Sequence, residues 1–214
     1  MILKRQEFKY YISNNEIYVL RNSLQKLMKI DQNANLNRLY TVTSLYFDMP
    51  YESNFKIESK KKIENVIEKQ SQIINNYQVN DLLNANYKLI NNNKSKFLNN
   101  SFIKLKAEGY KVKNIVEYDR EAYYLPYGNI RITFDLNLRT YNTDTNFNKI
   151  SNSSIKILPN NTNILEVKFS LPLPDYLKNL LSKTIATRCS ISKFVMGQKF
   201  INFSPWNDNI TEPF

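Results

Sequence analysis

The feature that most constrains the fold is the stretch 115–135, which has the pattern of two strands joined by a tight turn. Both flanks are rich in β-branched and aromatic residues, as is typical of strands. The segment 125–128 between them has turn chemistry, because Pro126 presets φ and either Gly128 or Asn129 accepts a positive φ. We therefore predict a β-hairpin here.

Side chains alternate across a strand, so this hairpin has an apolar face and a charged face. On the second strand the apolar face comprises Ile130, Ile132 and Phe134, and the opposite face comprises Arg131, Thr133 and Asp135. On the first strand Arg120 faces away from Glu117, Asp119 and Glu121. A charged strand face is usually solvated, and that interpretation stays open beside a functional one.

The composition indicates a folded domain that prefers anionic partners. The 214 residues suit one domain, and 42% hydrophobic with 13% aromatic residues argue against disorder. The formal net charge of +11 points to phosphate chains, nucleotides, nucleic acid or an anionic membrane surface. Solubility charge in a Lys- and Asn-rich chain is the alternative.

Several classes of site are excluded by residue type. The chain has no histidine, so Ser-His-Asp triads, Cys-His pairs and His-containing metal sites cannot form. Its three glycines cannot build a Walker loop or a dinucleotide-binding fingerprint. Cys189 is the only cysteine, no apolar run could span a bilayer and no signal peptide is expected. We expect a cytoplasmic protein without a transmembrane segment.

Further elements follow from periodicity and capping. Strands are predicted at 2–12, 40–48, 66–74 and 164–170, with more sheet at 138–141. Ser13 and Glu16 form a capping box for a helix to about Ile30, with Leu20, Leu24, Leu27 and Met28 as its apolar stripe. Helices are also predicted at 81–90, from Asp175 to about Ile185, and from Lys193 after a Ser192 cap. Segment 91–100 is expected to be a loop, 102–107 could be strand or helix, and 142–156 is expected to be loose.

The charged strand face recurs along the chain as the pattern Glu-x-Lys. It occurs as Glu7/Lys9, Glu58/Lys60 and Glu166/Lys168, and Arg131 lies likewise opposite an apolar face. Antiparallel strands of this kind can close into a tunnel whose charged interior binds anions, with glutamates available to Mg²⁺ or Mn²⁺. An open sheet with cross-strand ion pairs explains the pattern equally well.

Six segments, in order, resemble the VTC-type polyphosphate polymerase domain of the CYTH/triphosphate tunnel metalloenzyme superfamily. They are 5–10 (RQEFKY), 43–48 (TSLYFD), 116–123 (VEYDREAY), 129–135 (NIRITFD), 164–169 (ILEVKF) and 192–194 (SKF). The resemblance implies a tunnel of antiparallel strands that binds polyphosphate and, with a divalent metal, transfers the ATP γ-phosphate to a growing chain.

The resemblance also implies roles for individual residues. It places Glu166 on the metal, Mn²⁺ or Mg²⁺, and Lys9, Lys60, Arg131 and Lys168 at the catalytic phosphates. The phosphate-binding set it implies is Lys9, Lys60, Lys62, Lys69, Arg120, Arg131, Lys168, Ser192 and Lys193. Ser192 and Lys193 also make independent physical sense, because a helix N-terminus attracts anions.

The sequence departs from the family pattern at two points. Arg5 replaces the first glutamate of the superfamily's first strand, which suits the polymerase branch. More seriously, the family has an Arg-x-Arg strand after the 43–48 motif, and no arginine occurs between Tyr51 and Lys69. If that strand is absent, the barrel has a gap, and whether the chain is an enzyme stays open.

We therefore predict an α+β fold, an antiparallel β-barrel or tunnel with a polar interior and helices packed outside. The domain is expected to span 1–201, with an irregular tail at 202–214. The predicted partners are polyphosphate and ATP or another triphosphate, and no nucleic acid is expected because no RNP, zinc or helix-turn-helix signature occurs. The alternatives are a triphosphate hydrolase and a non-catalytic binder of polyphosphate or inositol pyrophosphate.

Overall fold

The computed structural model shows an α+β protein with a large antiparallel sheet and four helices among its described residues. The described residues are 5–48, 54–56, 59–63, 66–70, 81–82, 84, 86, 96–141, 154–184 and 186–201. The strands are β1 (Gln6–Ser13), β2 (Lys29–Ile30), β3 (Tyr40–Asp48), β4 (Asn54–Lys56), β5 (Ser59–Ile63), β6 (Val66–Gln70), β7 (Lys111–Leu125), β8 (Ile130–Tyr141), β9 (Ile155–Lys156), β10 (Thr162–Phe169) and β11 (Thr187–Cys189). The helices are α1 (Asn14–Leu27), α2 (Lys96–Ala107), α3 (Asp175–Leu181) and α4 (Lys193–Ile201).

The chain divides into two compact units. The first unit comprises residues 1–43, 117–139 and 156–193, and the second comprises 44–116, 140–155 and 194–214. In the first unit the strand order is β11-β1-β10-β8-β7-β3, with β2 paired to β7. The pairs β1/β10, β1/β11 and β8/β10 are antiparallel.

The apolar side of the first unit is its core. Ile130, Ile132 and Phe134 of β8 are almost fully buried beside Leu165 and Val167 of β10. Residues of α1 and α3 belong to the same cluster, among them Leu20, Leu24 and Leu177. The prediction that the apolar face packs against helices is therefore confirmed, and removing this area from water is the main stabilising contribution.

Helix α1 begins as its sequence predicts but ends earlier. The Ser13 hydroxyl accepts from the Glu16 backbone N–H while the Glu16 carboxylate accepts from the Ser13 N–H, which completes the capping box. The helix ends at Leu27, because Lys29 and Ile30 pair with Tyr124 and Tyr123 of β7 instead of continuing it. Leu27, the last residue of the helix, is exposed, so its predicted place in the apolar stripe that packs on the core is wrong.

The predicted hairpin is formed by β7 and β8. A short 3₁₀ turn at Tyr127–Asn129 connects them, with φ of 66° at Gly128 and 49° at Asn129. A Cβ on Gly128 would lie 3.1 Å from the Leu171 Cβ, so both conformation and space favour glycine. The turn is tied to the end of β10 because the Ser170 N–H donates to the Gly128 carbonyl at 2.8 Å.

The second unit corrects one sequence prediction and decides another that was left open. Residues 96–107 form α2, so the expected loop at 91–100 is wrong from residue 96 onward and the open segment 102–107 is helical. Asp81 and Leu82 are helical, whereas most of the helix predicted at 81–90 lies outside the described residues. In the same unit β4 pairs with the end of β3, and β5 pairs with β6 in a separate two-stranded sheet.

The remaining predicted boundaries fall close to the structure. β3 and the start of α4 lie where the sequence predicts, whereas α3 ends at Leu181, before the expected Ile185. Residues 71–74 of the strand predicted at 66–74, most of the loose segment 142–156 and the tail 202–214 lie outside the described residues. None of the described helices combines the length and the apolar character needed to cross a membrane.

The described strands do not close into a barrel. Their order ends at β11 on one side and at β4 on the other, and no pairing joins these two within the described part of the chain. The α+β class and the antiparallel sheet are confirmed. The tunnel stays a prediction.

Candidate functional site

The side of the first unit's sheet opposite the core carries a group of charged residues, which we call the charged face. It consists of Glu7 and Lys9 on β1, Glu166 and Lys168 on β10, and Arg131, Thr133 and Asp135 on β8. Strand register arranges them in rows: Lys168 is the Cα partner of both Glu7 and Arg131, and Glu166 is that of Lys9 and Thr133. Period-two alternation on three adjacent antiparallel strands produces this arrangement.

Lysines and glutamates of β1 and β10 form a mixed ion-pair network. The Lys168 ammonium contacts the Glu166 carboxylate and lies 3.6 Å from Glu7. The Lys9 ammonium lies 3.1 Å from the Glu7 carboxylate and donates to the Ile191 carbonyl at 3.1 Å. Burial would raise the pKa of the Glu7 carboxyl, but Lys168 and Lys9 lower it below its ordinary value.

Asp135 is the anchor of a second group of cations. Its buried carboxylate accepts from Arg120 Nε at 2.6 Å and Nη2 at 2.8 Å, and it lies 2.7 Å from the Lys193 ammonium. Arg120 and Lys193 also share the Tyr118 ring, at 5.0 and 4.8 Å from its centroid. Burial would raise the pKa of the Asp135 carboxyl, but these two cations hold it below the ordinary value.

Arg131 is oriented from outside the three strands. Its Nη2 donates to Asp31 Oδ2 at 2.7 Å and to the Tyr40 hydroxyl at 2.8 Å. Asp31 directly follows β2, and Tyr40 begins β3. The Arg131 side chain keeps 36% of its surface exposed, more than Lys9, Lys168 or Lys193.

Two lysines of this region, Lys168 and Lys193, have lowered pKa values, and neighbouring cations contribute to both shifts. The pKa of Lys168 is lowered to about 8, chiefly by burial; Glu7 opposes this shift, and Arg120, Arg5 and Lys9 add to it. Burial likewise lowers the pKa of Lys193, with Asp135 opposing and Arg120 and Lys9 adding to the shift. A bound anion would relieve both lysines, because an opposite charge favours the protonated form.

The charged face is not an ordinary solvated strand face. Asp135 is fully buried, and Thr133 and Glu166 keep only 2% and 3% of their surface exposed. Buried ionic groups are costly unless they are paired, and here the pairing involves five different segments of the chain. The solvated interpretation of the Arg131 strand is therefore wrong for its central residues.

Six of the predicted site residues come together in the first unit. They are Lys9, Arg120, Arg131, Glu166, Lys168 and Lys193. Ser192 is exposed immediately before α4, whose first residue is Lys193. Lys60, Lys62 and Lys69 lie on β5 and β6 of the second unit, where the structure describes the backbone alone, with Lys60 paired to Lys69. Glu58 lies outside the described residues.

Sequence reasoning missed the residues that position the cations. Asp31 and Tyr40 are separated from Arg131 by 100 and 91 positions, and no local pattern links them. Asp135 lies on the charged face as the sequence predicts, but its role as partner of Arg120 and Lys193 was not predicted, because these residues are distant from it in sequence. Arg120 was assigned to phosphate, whereas in the structure its guanidinium is bound to Asp135.

The charged face offers oxygen donors of the kind that Mg²⁺ and Mn²⁺ prefer, but few of them. Glu166 and its Cα partner Thr133 are both buried, and Thr133 Oγ1 has no hydrogen-bond partner within the described part of the chain. Within that part no group of three or more Asp, Glu, Cys or His side chains could hold an ion. A hard cation bound here would therefore have to take most of its ligands from a bound phosphate group and water.

A pocket borders the charged face on the side of β11. It is lined by Glu7, Phe8, Lys9 and residues 188–191, and has a volume of about 430 Å³. It shares Glu7 and Lys9 with the charged face but does not include Arg131, Lys168 or Lys193. The pocket therefore adjoins the candidate site without enclosing it.

The sequence of the chain matches the model of a known protein family. The sequence model of the VTC domain matches the chain over residues 4–56 and 49–202. The chain belongs to the VTC domain family. The predicted resemblance is thus confirmed at family level, it is consistent with a CYTH-like superfamily placement, and it indicates a function related to polyphosphate.

Two further comparisons add little to this assignment. No curated protein matches the sequence of this VTC domain. Among solved structures, one match is "Structure of PH1819 protein from Pyrococcus Horikoshii OT3", with 13% identity and a TM-score of 0.43, covering 89% of this chain and 96% of that chain.

Proposed function

We propose that this VTC domain binds polyphosphate, or the triphosphate of ATP, on the charged face. We also propose that it synthesises little polyphosphate from ATP. The observation that carries the proposal is the surplus of cations around buried carboxylates. The single carboxylate of Asp135 lies against two cations, Arg120 and Lys193. Lys168 has a pKa of about 8, largely because it is buried, with other cations nearby. Burial of this kind costs free energy in the free protein, which an anionic ligand can recover.

The geometry suits a chain of phosphates better than a single anion. Lys9, Lys168 and Arg131 lie on three neighbouring strands, and Lys193 approaches the same face from the start of α4. Lysine binds phosphate as a point charge, whereas arginine can bind it through two parallel N–H donors. A row of such groups supports several phosphates held in sequence, as in a tunnel formed around the ligand.

Catalysis has a weaker basis than binding. Transfer of the γ-phosphate needs in-line positioning and neutralisation of developing charge, for which arginine is well suited. The segment 51–69 contains no arginine, and the two stretches matched by the family overlap at residues 49–56, where the Arg-x-Arg strand is expected. This supports a binding domain with little polymerase activity of its own.

A divalent metal belongs to the same proposal. Glu166 would be the protein carboxylate that holds Mn²⁺ or Mg²⁺, with phosphate oxygens among the remaining ligands. Such an ion supplies charge neutralisation on the phosphate oxygens. The residues of this chain bind and orient the phosphates: Lys9 and Lys168 balance their charge, and Arg131 directs N–H donors at them.

Calorimetry with tripolyphosphate at several salt concentrations tests the binding. We expect binding at low salt with an affinity that falls as salt rises, because the site is electrostatic. Lys178→Gln, which removes one positive charge from an exposed surface pair with Asp175, should bind tripolyphosphate like wild type. Absence of binding at low salt would overturn the proposal.

Two assays on the same protein with ATP and Mn²⁺ separate the enzymatic alternatives. Chain growth and phosphate release are measured separately, and we expect little of either. Brisk chain growth would show that the missing arginines are dispensable, and brisk phosphate release would favour hydrolysis. Salt-dependent oligonucleotide binding as tight as tripolyphosphate binding would favour a nucleic-acid module.

A further inference from the structure

We infer that Asp31 and Tyr40 are positioning residues that hold the Arg131 guanidinium in the orientation that binds phosphate. This inference rests on the proposed function, since it assigns a role within the same site. It concerns the connection between β2 and β3, a segment that none of the resemblance motifs includes.

The contacts on Arg131 fall on one corner of its guanidinium. Nη2 donates to both the Asp31 carboxylate and the Tyr40 hydroxyl, at 2.7 and 2.8 Å. Nε and Nη1 have no partner within the described ranges of the chain, and the side chain is 36% exposed. The guanidinium is thus fixed at one corner while its other donors stay available to a ligand.

Asp31 is itself rigidly placed, so it can serve as a fixed support. Its backbone N–H donates to the Ala122 carbonyl of β7 at 2.9 Å. Its Oδ1 accepts from the Asn33 backbone N–H at 3.0 Å and from Asn33 Nδ2 at 2.7 Å, which leaves Oδ2 for Arg131. This Asx turn sets the direction of the carboxylate before any ligand binds.

The rest of the connection brings Tyr40 to the same nitrogen. The Asn35 side chain accepts from the backbone N–H groups of Asn37 and Leu39, and the Asn35 N–H donates to the Leu39 carbonyl at 3.0 Å. Arg38 takes a positive φ of 63°, which turns the chain into β3. Because both ends of this hydrogen-bonded loop contact Arg131, its shape determines where the guanidinium points.

Arg120, in contrast to Arg131, has little of its side chain available to a ligand. It uses Nε and Nη2 on the fully buried Asp135, and only 15% of its side chain is exposed. Its role is to neutralise Asp135 beside Lys193. Arg131 is therefore the arginine of this face that is both oriented and accessible, and orientation in advance reduces the entropy lost on binding.

Tyr40→Phe is the first variant of the test, because it removes one acceptor from Arg131 without changing the charge. We expect tripolyphosphate to bind about threefold to tenfold more weakly at constant salt, the range for one hydrogen bond. Tyr127→Phe, at an exposed tyrosine of the β7–β8 turn, is the matched control and should bind like wild type.

Asp31→Asn is the second variant, with Asp175→Asn as the control for loss of one negative charge at an exposed position. If Asp31 positions Arg131, Asp31→Asn binds at least threefold more weakly than its control at a salt concentration that screens distant charges. If Asp31→Asn instead binds more tightly than Asp175→Asn, Asp31 competes with phosphate for Arg131 and the inference is wrong.

A double-mutant cycle with Arg131→Gln distinguishes positioning from a general structural effect. Tyr40→Phe and Asp31→Asn should each lose their weakening effect once Arg131 is absent, because they act through it. Equal effects in both backgrounds would overturn the inference while leaving polyphosphate binding intact. Wild-type protein that does not bind tripolyphosphate would instead overturn the proposed function.

Discussion

Two adjacent residues of β7, Arg120 and Glu121, belong to two buried ionic clusters that differ in one respect. The helix-side cluster joins Glu121 to Arg21 of α1 and to Tyr123. The other joins Arg120 to Asp135 and Lys193. Both carboxylates are buried, so burial alone does not tell a structural cluster from a candidate site.

The helix-side cluster is balanced. Arg21 Nε lies 3.0 Å from both Glu121 oxygens and its Nη2 lies 2.8 Å from Oε2, a bidentate pair with one charge of each sign. The Tyr123 hydroxyl donates to the same carboxylate, and burial together with Glu121 raises the pKa of Tyr123. Because the charges of Arg21 and Glu121 cancel, we expect no further ion to bind at this cluster.

In the other cluster two cations, Arg120 and Lys193, lie against the Asp135 carboxylate, with Glu166 4.0 Å from Lys193, and the lysines of β1 and β10 lie beside it. There the pKa of Lys193 and that of Lys168 are lowered by burial and by neighbouring cations. From this comparison we expect an anion to bind where cations outnumber carboxylates in a buried cluster, rather than wherever buried ion pairs occur. The two clusters should therefore respond oppositely to mutation.

The largest expected effect is on stability, at the balanced cluster. Arg21→Gln leaves the Glu121 carboxylate buried without its cation, which should lower the free energy of unfolding by about 3 kcal/mol. Chemical denaturation measures this, with Lys26→Gln on the same helix as the control, since Lys26 is exposed. Tripolyphosphate affinity of the folded protein should not change; a loss of affinity without a loss of stability would contradict the assignment of this cluster as structural.

An intermediate effect is expected on binding, at the cluster with surplus charge. Lys193→Gln leaves Asp135 with the bidentate Arg120, so the free energy of unfolding should change by no more than about 1 kcal/mol. Tripolyphosphate should bind about tenfold more weakly, because one charge-assisted contact is lost. If Lys193→Gln destabilises the protein as much as Arg21→Gln does while tripolyphosphate binding is retained, the distinction between the two clusters is wrong.

The smallest effect concerns pH and sharpens the role of Lys168. Its pKa in the free protein is about 8, so the ammonium loses its proton as pH rises through that value. A bound anion favours the protonated form and raises the pKa, so binding near pH 8 to 9 should take up protons, and affinity should fall about threefold to tenfold between pH 7 and 9.

Calorimetry in buffers of different ionisation enthalpy measures this proton uptake. Lys168→Arg is the matched variant, because arginine stays charged throughout this range. Subtracting its proton uptake from that of wild type also removes the ionisation of tripolyphosphate itself. Equal uptake by the two proteins would show that Lys168 does not face the ligand.

Much of the sheet could be predicted from the sequence because strand periodicity is local. The pattern from Ile130 to Asp135 predicts which side chains share a face, and the structure places Ile132 in the core and Asp135 on the charged face. The turn at Gly128 and the capping box at Ser13 were equally readable, since each depends on a few adjacent residues.

Predictions failed where tertiary pairing competes with local preference. α1 stops at Leu27 because the next residues pair with β7, and α2 contains asparagines that alone favour a loop. Which cations are bound and which are available also escaped the sequence. Arg120 and Arg131 look alike there, yet one is held by Asp135 and the other is oriented by Asp31 and Tyr40.

The sequence by itself determined the alternating strands, the excess of lysine and arginine, and membership of the VTC domain family. Only the tertiary structure decided the charge balance of each buried cluster, because ion pairs such as Arg131–Asp31 and Arg21–Glu121 join residues 100 positions apart. Electrostatic free energy depends on distance and burial in space, and a linear pattern of residues contains neither.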